Sequence, residues 1–381
     1  MNVSDFDFDL PERLIAQHPS EQRGGSRLLV VHRDDGLEHR MFAELGRYLT
    51  AGDVLVVNDT RVFPARLIGH RQPSGGNVEC LLLNRELADP AGADLSDGAE
   101  APARHGRPPG SSNAETDRVV ERENWSALVH PGQKLKPGAR MVFERDGVRI
   151  DAEILAMHYQ GRRTVRLWTA HAAGLVDAID CVGHIPLPPY IKREDADEDK
   201  RRYQTIYARE RGSIAAPTAG LHFTAGQLEQ FAAAGVERIA VTLHVGYGTF
   251  KPVKADRVED HVVDAEHFSV TPQAAAALTR ARSDGRRIIA VGTTTVRTLE
   301  SLTITGAGEV LPGSGDTTLF IHPGHTFQLV NAMVTNFHLP RSSLLMLVAA
   351  FAGRERVLAA YREAVEKGYR FYSYGDAMLV L

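Results

Sequence analysis

Residues 287–300 read Arg287-Ile288-Ile289-Ala290-Val291-Gly292-Thr293-Thr294-Thr295-Val296-Arg297-Thr298-Leu299-Glu300: an apolar run, a glycine turn and a helix start. A run apolar at every position is a strand covered on both faces, and the helix that follows makes it half of an α/β unit. The alternation extends both ways. Thr224 caps a predicted helix that Gly235 stops, ahead of a strand from Arg238 to Val245. Thr271-Pro272 opens a second helix that ends near Gly285 and feeds the strand at Arg287. A strand over 326–335 leads through Asn336 to Pro340 into one long predicted helix, Ser343 to Glu366, and Asp53 to Val57 adds another buried strand. The expectation is an α/β fold, a three-layer domain with a largely parallel sheet, formed by residues 1–60 and 170–381.

Between these parts the period shortens. Val62 to His70, Asn77 to Leu83, Trp125 to His130, Arg140 to Arg145, Val148 to Met157 and Thr164 to Trp168 are short β-like runs parted by Gly and Pro turns. They predict a small β-barrel inserted at 61–169. The stretch 88–122 is rich in Ala, Gly, Pro, Ser and Asp and nearly empty of large apolar residues. It buries too little to offset its ordering entropy, so a disordered surface loop is expected there.

At 381 residues, with 43% hydrophobic and 24% charged, the chain falls in the ordinary globular class with room for two domains. Two cysteines, Cys80 and Cys181, do not make a disulfide framework or a zinc motif. Met1 to Asp9 is acidic where a secretory signal is basic. The longest apolar stretch, Leu344 to Ala352, is far short of the roughly 20 residues that cross a bilayer. A cytoplasmic protein without membrane association, most simply a monomer, is the expectation. The net charge of −4 does not advertise a nucleic-acid binder, although local basic residues permit one.

In an open α/β sheet, ligands bind beyond the carboxyl ends of the strands. Polar loops follow apolar runs at Asn58 to Arg61, His244 to Phe250, Gly292 to Thr295 and Asn336 to Pro340. Three carry histidine in similar settings: Pro217-Thr218-Ala219-Gly220-Leu221-His222, Leu243-His244-Val245-Gly246-Tyr247-Gly248-Thr249, and Thr335-Asn336-Phe337-His338. The turn before Thr293 and Thr294 offers amides at the positive end of a helix dipole, suited to a carboxylate, or else these threonines merely cap the helix. His222, His244 and His338 lack the spacing of a metallohydrolase motif, so no metal is expected. The Gly246-Tyr247-Gly248 turn is not a dinucleotide fingerprint, since Lys251-Pro252 blocks a helix start.

These loops, together with Asn58-Asp59-Thr60-Arg61, Pro64-Ala65-Arg66-Leu67, Gly183-His184-Ile185-Pro186-Leu187-Pro188-Pro189-Tyr190 and Tyr372-Ser373-Tyr374-Gly375-Asp376-Ala377-Met378, closely resemble the S-adenosylmethionine:tRNA ribosyltransferase-isomerases of queuosine biosynthesis. The resemblance spans the chain except the 88–122 loop. It implies an α/β domain carrying a β-barrel, and S-adenosylmethionine as a ribosyl donor with no prosthetic group. It further implies that the acceptor is 7-aminomethyl-7-deazaguanine in a tRNA anticodon. The products are then epoxyqueuosine-tRNA, adenine and methionine. On that footing the candidate general bases are His222, His244, His338 and Asp376. The candidate co-substrate residues are Thr218, Gly220, Gly246, Gly248, Thr249, Thr293, Thr294, Arg297 and Asn336, and those for RNA are Arg61, Arg66, Tyr190, Tyr203 and Tyr207. The rival readings are an S-adenosylmethionine-dependent RNA methyltransferase, which would release S-adenosylhomocysteine, a His-coordinated metallohydrolase, and a non-catalytic tRNA-binding protein.

Overall fold

The computed structural model describes residues 1–32, 36–86 and 122–381. Strands β1 (Arg27–Val31), β2 (Leu37–Met41), β3 (Val54–Asn58) and β4 (Thr60–Val62) come first. Then follow β5 (Arg66–Gln72), β6 (Asn77–Glu86), β7 (Arg122–His130), β8 (Arg140–Arg145), β9 (Val148–Met157), β10 (Arg162–Trp168) and helix α1 (Gly174–Val182). The chain continues through α2 (Asp199–Arg202), β11 (Glu210–Ser213), α3 (Ala225–Ala233), β12 (Glu237–Leu243), β13 (Glu266–Val270), α4 (Pro272–Ser283) and β14 (Ile288–Val291). It ends with α5 (Thr293–Glu300), β15 (Gly313–Thr317), β16 (Ala332–Asn336), α6 (Ser343–Ala352), α7 (Arg354–Glu366) and β17 (Ala377–Val380).

One compact unit consists of Met1–Phe63 with Ile185–Leu381. Its sheet has the order β15-β13-β12-β3-β14-β16-β17-β1-β2. Strands β12, β3, β14 and β16 are parallel. β17 is antiparallel to β16 and parallel to β1, while β13, β15 and β2 extend the edges antiparallel. The sheet is therefore mixed, with a parallel block at β12-β3-β14-β16 and a second parallel pair at β17-β1, where a largely parallel one was expected. The edge strands Leu37–Met41 and Gly313–Thr317 are polar, and antiparallel neighbours need no crossover helix to announce them.

Alternation along the central strands gives the layers. Val54 and Val56 of β3 enter one core with Leu278 of α4, Val296 of α5, Val348 of α6 and Tyr361 of α7. Leu55 and Val57 enter a second core with Phe42, Phe223 and Phe231. Each but Phe231, at 6%, is at most 1% exposed, and full burial of such side chains stabilises by about 1.5–3 kcal/mol apiece. Helix caps form where the sequence places them: Thr224 and Gln227 make a reciprocal capping box on α3, and Thr271 caps α4. The long helix expected over 343–366 is broken into α6 and α7 at Gly353, whose φ of 89° leaves the helical region.

The second unit, Pro64–His184, is a closed barrel of strand order β10-β7-β6-β5-β8-β9, antiparallel throughout. Leu67, Cys80, Leu82, Phe143, Ile150 and Leu167 are fully buried in it, and closure leaves no unpaired strand edge. The unit runs to His184 where the sequence reading ended it at 169, because α1 packs on β8 and β9. The loop expected over 88–122 lies outside the described residues except Arg122, which begins β7. Among the described residues no helix is long and apolar enough to cross a membrane.

Candidate active site

The parallel strands β12, β3, β14 and β16 end together, and the loops beyond their carboxyl ends fold over one cleft. Its walls are the segment Ala215–Ala219, the turn Gly292–Thr294, the end of β16 from Thr335 to His338, and Tyr190, Tyr203, Thr249, Tyr372 and Ser373. Among the described residues the lining carries no Asp, Glu, Lys or Arg.

Asn58, fully buried at the end of β3, ties these loops together. Its Oδ1 accepts from the amides of Thr60 (3.1 Å) and Leu243 (3.0 Å), and its Nδ2 donates to the Leu243 carbonyl (2.9 Å) and Thr294 Oγ1 (3.2 Å). Gly292, at φ 89°, turns β14 into α5 and presents the first amides of that helix with no side-chain cap. Thr294 is held by Asn58, whereas the Thr293 hydroxyl lines the cleft without a hydrogen bond among the described residues.

The histidines separate. His222 is buried, with Nδ1 2.8 Å from Ser26 Oγ and Nε2 3.1 Å from Asn336 Nδ2. Burial pushes its imidazole down to about 4. His338 lines the cleft with Nε2 2.9 Å from Thr335 Oγ1, and burial pushes it down to about 3. His244 lies outside that lining, with Nδ1 on Thr60 Oγ1 at 2.8 Å. It packs against Gly212, where a Cβ would come within 2.8 Å of the ring. Burial, then the neighbouring His267, lowers its pKa. The three rings turn to different partners, and no group of three potential metal ligands gathers among the described residues.

Other candidates turn out to be anchors. Asp376, 1% exposed, accepts from the Arg27 amide (2.9 Å), Arg27 Nε and Nη2 (3.2 and 3.0 Å), and the Arg370 amide (2.9 Å) and Nη2 (3.3 Å). Its lone pairs are taken and it does not line the cleft, which removes the geometry a base needs. Arg297 pairs with Glu266 inside the unit and donates to the carbonyls of Leu319 and Thr317, so it is not directed at a ligand. The other oxygen of Glu266 accepts from the Gly246 amide and the Thr249 hydroxyl, both at 2.9 Å. Gly246 and Gly248 thus shape the loop that carries Thr249 to the cleft, and a Cβ on Gly248 would press on Asp264. Gly220 makes room for the Tyr207 hydroxyl, while Thr218 lines the cleft.

Of the residues expected to meet RNA, Tyr190 and Tyr203 instead line this cleft. Tyr190 bonds Ser373, and its ring centroid is 3.8 Å from that of Tyr372. Tyr207 packs its hydroxyl against Gly220. Arg61 is exposed on β4, and Arg66, in the barrel unit, holds Glu79 bidentately at 2.8 and 2.9 Å. Sequence reasoning missed Ser26, Thr335, Tyr372 and Ser373. The Tyr372-Ser373 pair had a signal in its motif, and Tyr372 sits at φ 74°, a strained conformation that collects at working sites.

Polar loops at the carboxyl ends of parallel strands, closing on an uncharged, tyrosine-lined cleft, define an α/β enzyme acting on a small organic co-substrate. The chain belongs to the queuosine biosynthesis protein family, which it matches over residues 3–380. It is similar to the S-adenosylmethionine:tRNA ribosyltransferase-isomerases of Moorella thermoacetica, 47% identical over all of both chains. The enzyme of that name from Anaeromyxobacter dehalogenans is 50% identical over 100% of this chain and 99% of that one. The crystal structure of the S-adenosylmethionine tRNA ribosyltransferase of Thermotoga maritima has 37% identity and a TM-score of 0.51, covering 99% of this chain and all of that one.

Proposed function

We propose that the chain is an S-adenosylmethionine:tRNA ribosyltransferase-isomerase. It moves the ribosyl group of S-adenosylmethionine onto 7-aminomethyl-7-deazaguanine in a tRNA anticodon, giving epoxyqueuosine-tRNA, adenine and methionine. The observation that carries this is the full-length likeness to relatives of that name, joined to a cleft of matching chemistry. A sulfonium acidifies the ribose carbon beside it. A base removes a proton there, adenine leaves, the opened sugar is captured by the exocyclic amine, and the carbon–sulfur bond breaks as methionine departs. A nearby carboxylate would offset the positive charge that makes the proton acidic, and the described lining contains none.

His338 is the base we assign. The Thr335 hydroxyl donates to the Asn336 carbonyl at 3.4 Å, so it accepts from His338 Nε2–H and leaves the Nδ1 lone pair free to take the proton. Thr218, Thr249 and Thr293 bind the co-substrate, and the α5 amides receive the methionyl carboxylate. Arg61 and Arg66 serve tRNA phosphates. The protein works as a cytoplasmic monomer, where its tRNA resides.

The test is to incubate the pure protein with S-adenosylmethionine and tRNA bearing the aminomethyl-deazaguanine base, then quantify small products. Adenine and methionine in equal amounts, dependent on that tRNA, are expected, whereas S-adenosylhomocysteine would mean methyl transfer. His338→Gln should lose adenine release by about 100-fold or more while still binding S-adenosylmethionine; undiminished release would remove His338 as the base.

A further inference from the structure

Asn336 ends β16 at 2% exposure, and its Nδ2 donates to two acceptors, the Tyr372 carbonyl and His222 Nε2, each at 3.1 Å. A backbone carbonyl only accepts, so the amide nitrogen has to face it and the carboxamide cannot turn over. His222 is fixed in consequence. Its Nε2 carries the lone pair, and its Nδ1 carries the proton and donates to Ser26 Oγ at 2.8 Å. Both ring nitrogens are committed, so this histidine has no site at which to take a substrate proton.

What remains is Asn336 Oδ1, buried and without a hydrogen-bond partner in a residue that lines the cleft. An orphaned buried amide oxygen is costly and rare, and it marks a place where a donor arrives with the ligand. S-adenosylmethionine offers three kinds of donor: the adenine amine, the ribose hydroxyls and the methionyl ammonium. The ammonium is a cation, and no carboxylate of the described lining awaits it. Adenine is the flat, weakly polar part of the molecule. Asn336 stands beside Phe337 and bonds Tyr372, both cleft residues, and the Tyr372 ring adjoins that of Tyr190.

We propose that Asn336 Oδ1 accepts a hydrogen bond from the exocyclic amine of adenine, and that His222 is the positioning residue that holds the carboxamide oxygen toward it. The proposal rests on the reading of S-adenosylmethionine as co-substrate. A purine with an oxygen at that position would set acceptor against acceptor, so the contact also selects adenine.

Calorimetric titration of the full chain with S-adenosylmethionine and with S-inosylmethionine tests this. The wild-type protein should bind the adenine form at least about tenfold more tightly; equal affinities would overturn the contact with no variant needed. Asn336→Ala should lose that preference, and a preference kept in full would move the acceptor elsewhere. His222→Phe should weaken the preference, whereas His222→Gln, whose amide oxygen can stand in for Nε2, should restore most of it. No difference between the two would overturn the positioning role. A wild-type protein that discriminates in binding yet releases no adenine with tRNA would fail the proposed activity and leave this contact standing.

Discussion

Glu266→Gln is the substitution for which the structure sets the clearest magnitude. Glu266 and Arg297 pair with side chains only 3% and 10% exposed. The change leaves the Arg297 charge buried with no counter-ion. Breaking one partner of a buried pair costs about 3–5 kcal/mol. The glutamine keeps one oxygen for the Gly246 amide and the Thr249 hydroxyl, which the glutamate now receives at 2.9 Å each, offsetting about 1 kcal/mol. A loss of about 2–4 kcal/mol is expected. Glu266→Ala, which also orphans both donors, should lose more. Urea unfolding followed by far-UV circular dichroism measures it; fluorescence would not, since Trp125 and Trp168 both lie in barrel strands. Because the same carboxylate sets the loop bearing Thr249, the apparent Michaelis constant for S-adenosylmethionine should rise as well. A Glu266→Gln protein within about 0.5 kcal/mol of wild type would refute the anchoring argument. The double replacement Glu266→Gln with Arg297→Met should recover part of the loss, since it removes the uncompensated buried charge while the glutamine oxygen still receives the Gly246 amide and the Thr249 hydroxyl.

Two further outcomes follow from the buried polar groups. His222 and His338 have pKa values pushed down to about 4 and about 3, below the ordinary value of about 6.5. The unfolded chain therefore binds more protons, and the stability they contribute is present above about pH 6.5 and lost as pH falls toward 4. Each contributes a slope of up to about 1.4 kcal/mol per pH unit in that window. A His338→Gln protein should show a shallower acid dependence by that amount, and an unchanged slope would contradict the burial. Asp376→Asn should cost about 3 kcal/mol in urea unfolding while each folded molecule still releases adenine within a few-fold of wild type. Full stability with lost turnover would instead place Asp376 in the chemistry.

Much of the site lay in plain view in the sequence, because the residues that end parallel strands are contiguous with them. Apolar runs ending in Asn58, Gly292 and Asn336 announced loops at one edge of the sheet, and the structure gathers all three. Legibility failed where partners come from distant segments. Nothing near Asp376 in sequence tells that Arg27 joins Arg370 in saturating it, and nothing near Arg297 points to Glu266. A charged or polar residue beside a glycine turn reads as a ligand group until its buried partner is known.

The alternation of helix and buried strand, the change of period that marks the barrel, the caps at Thr224 and Thr271, and the family resemblance carried by the loop motifs can all be read from the order of residues. These depend on neighbours a few residues apart, where backbone geometry and local hydrogen bonding decide. Which histidine faces the cleft, which is locked between Ser26 and Asn336, and which packs on Thr60 emerges only once the chain is folded. It also turned two tyrosines expected to meet RNA into walls of the cleft. Hydrogen bonding at His222, His244 and Tyr190 is set by chain segments more than a hundred residues away in sequence, and a side chain's chemistry is fixed by what those segments leave unpaired.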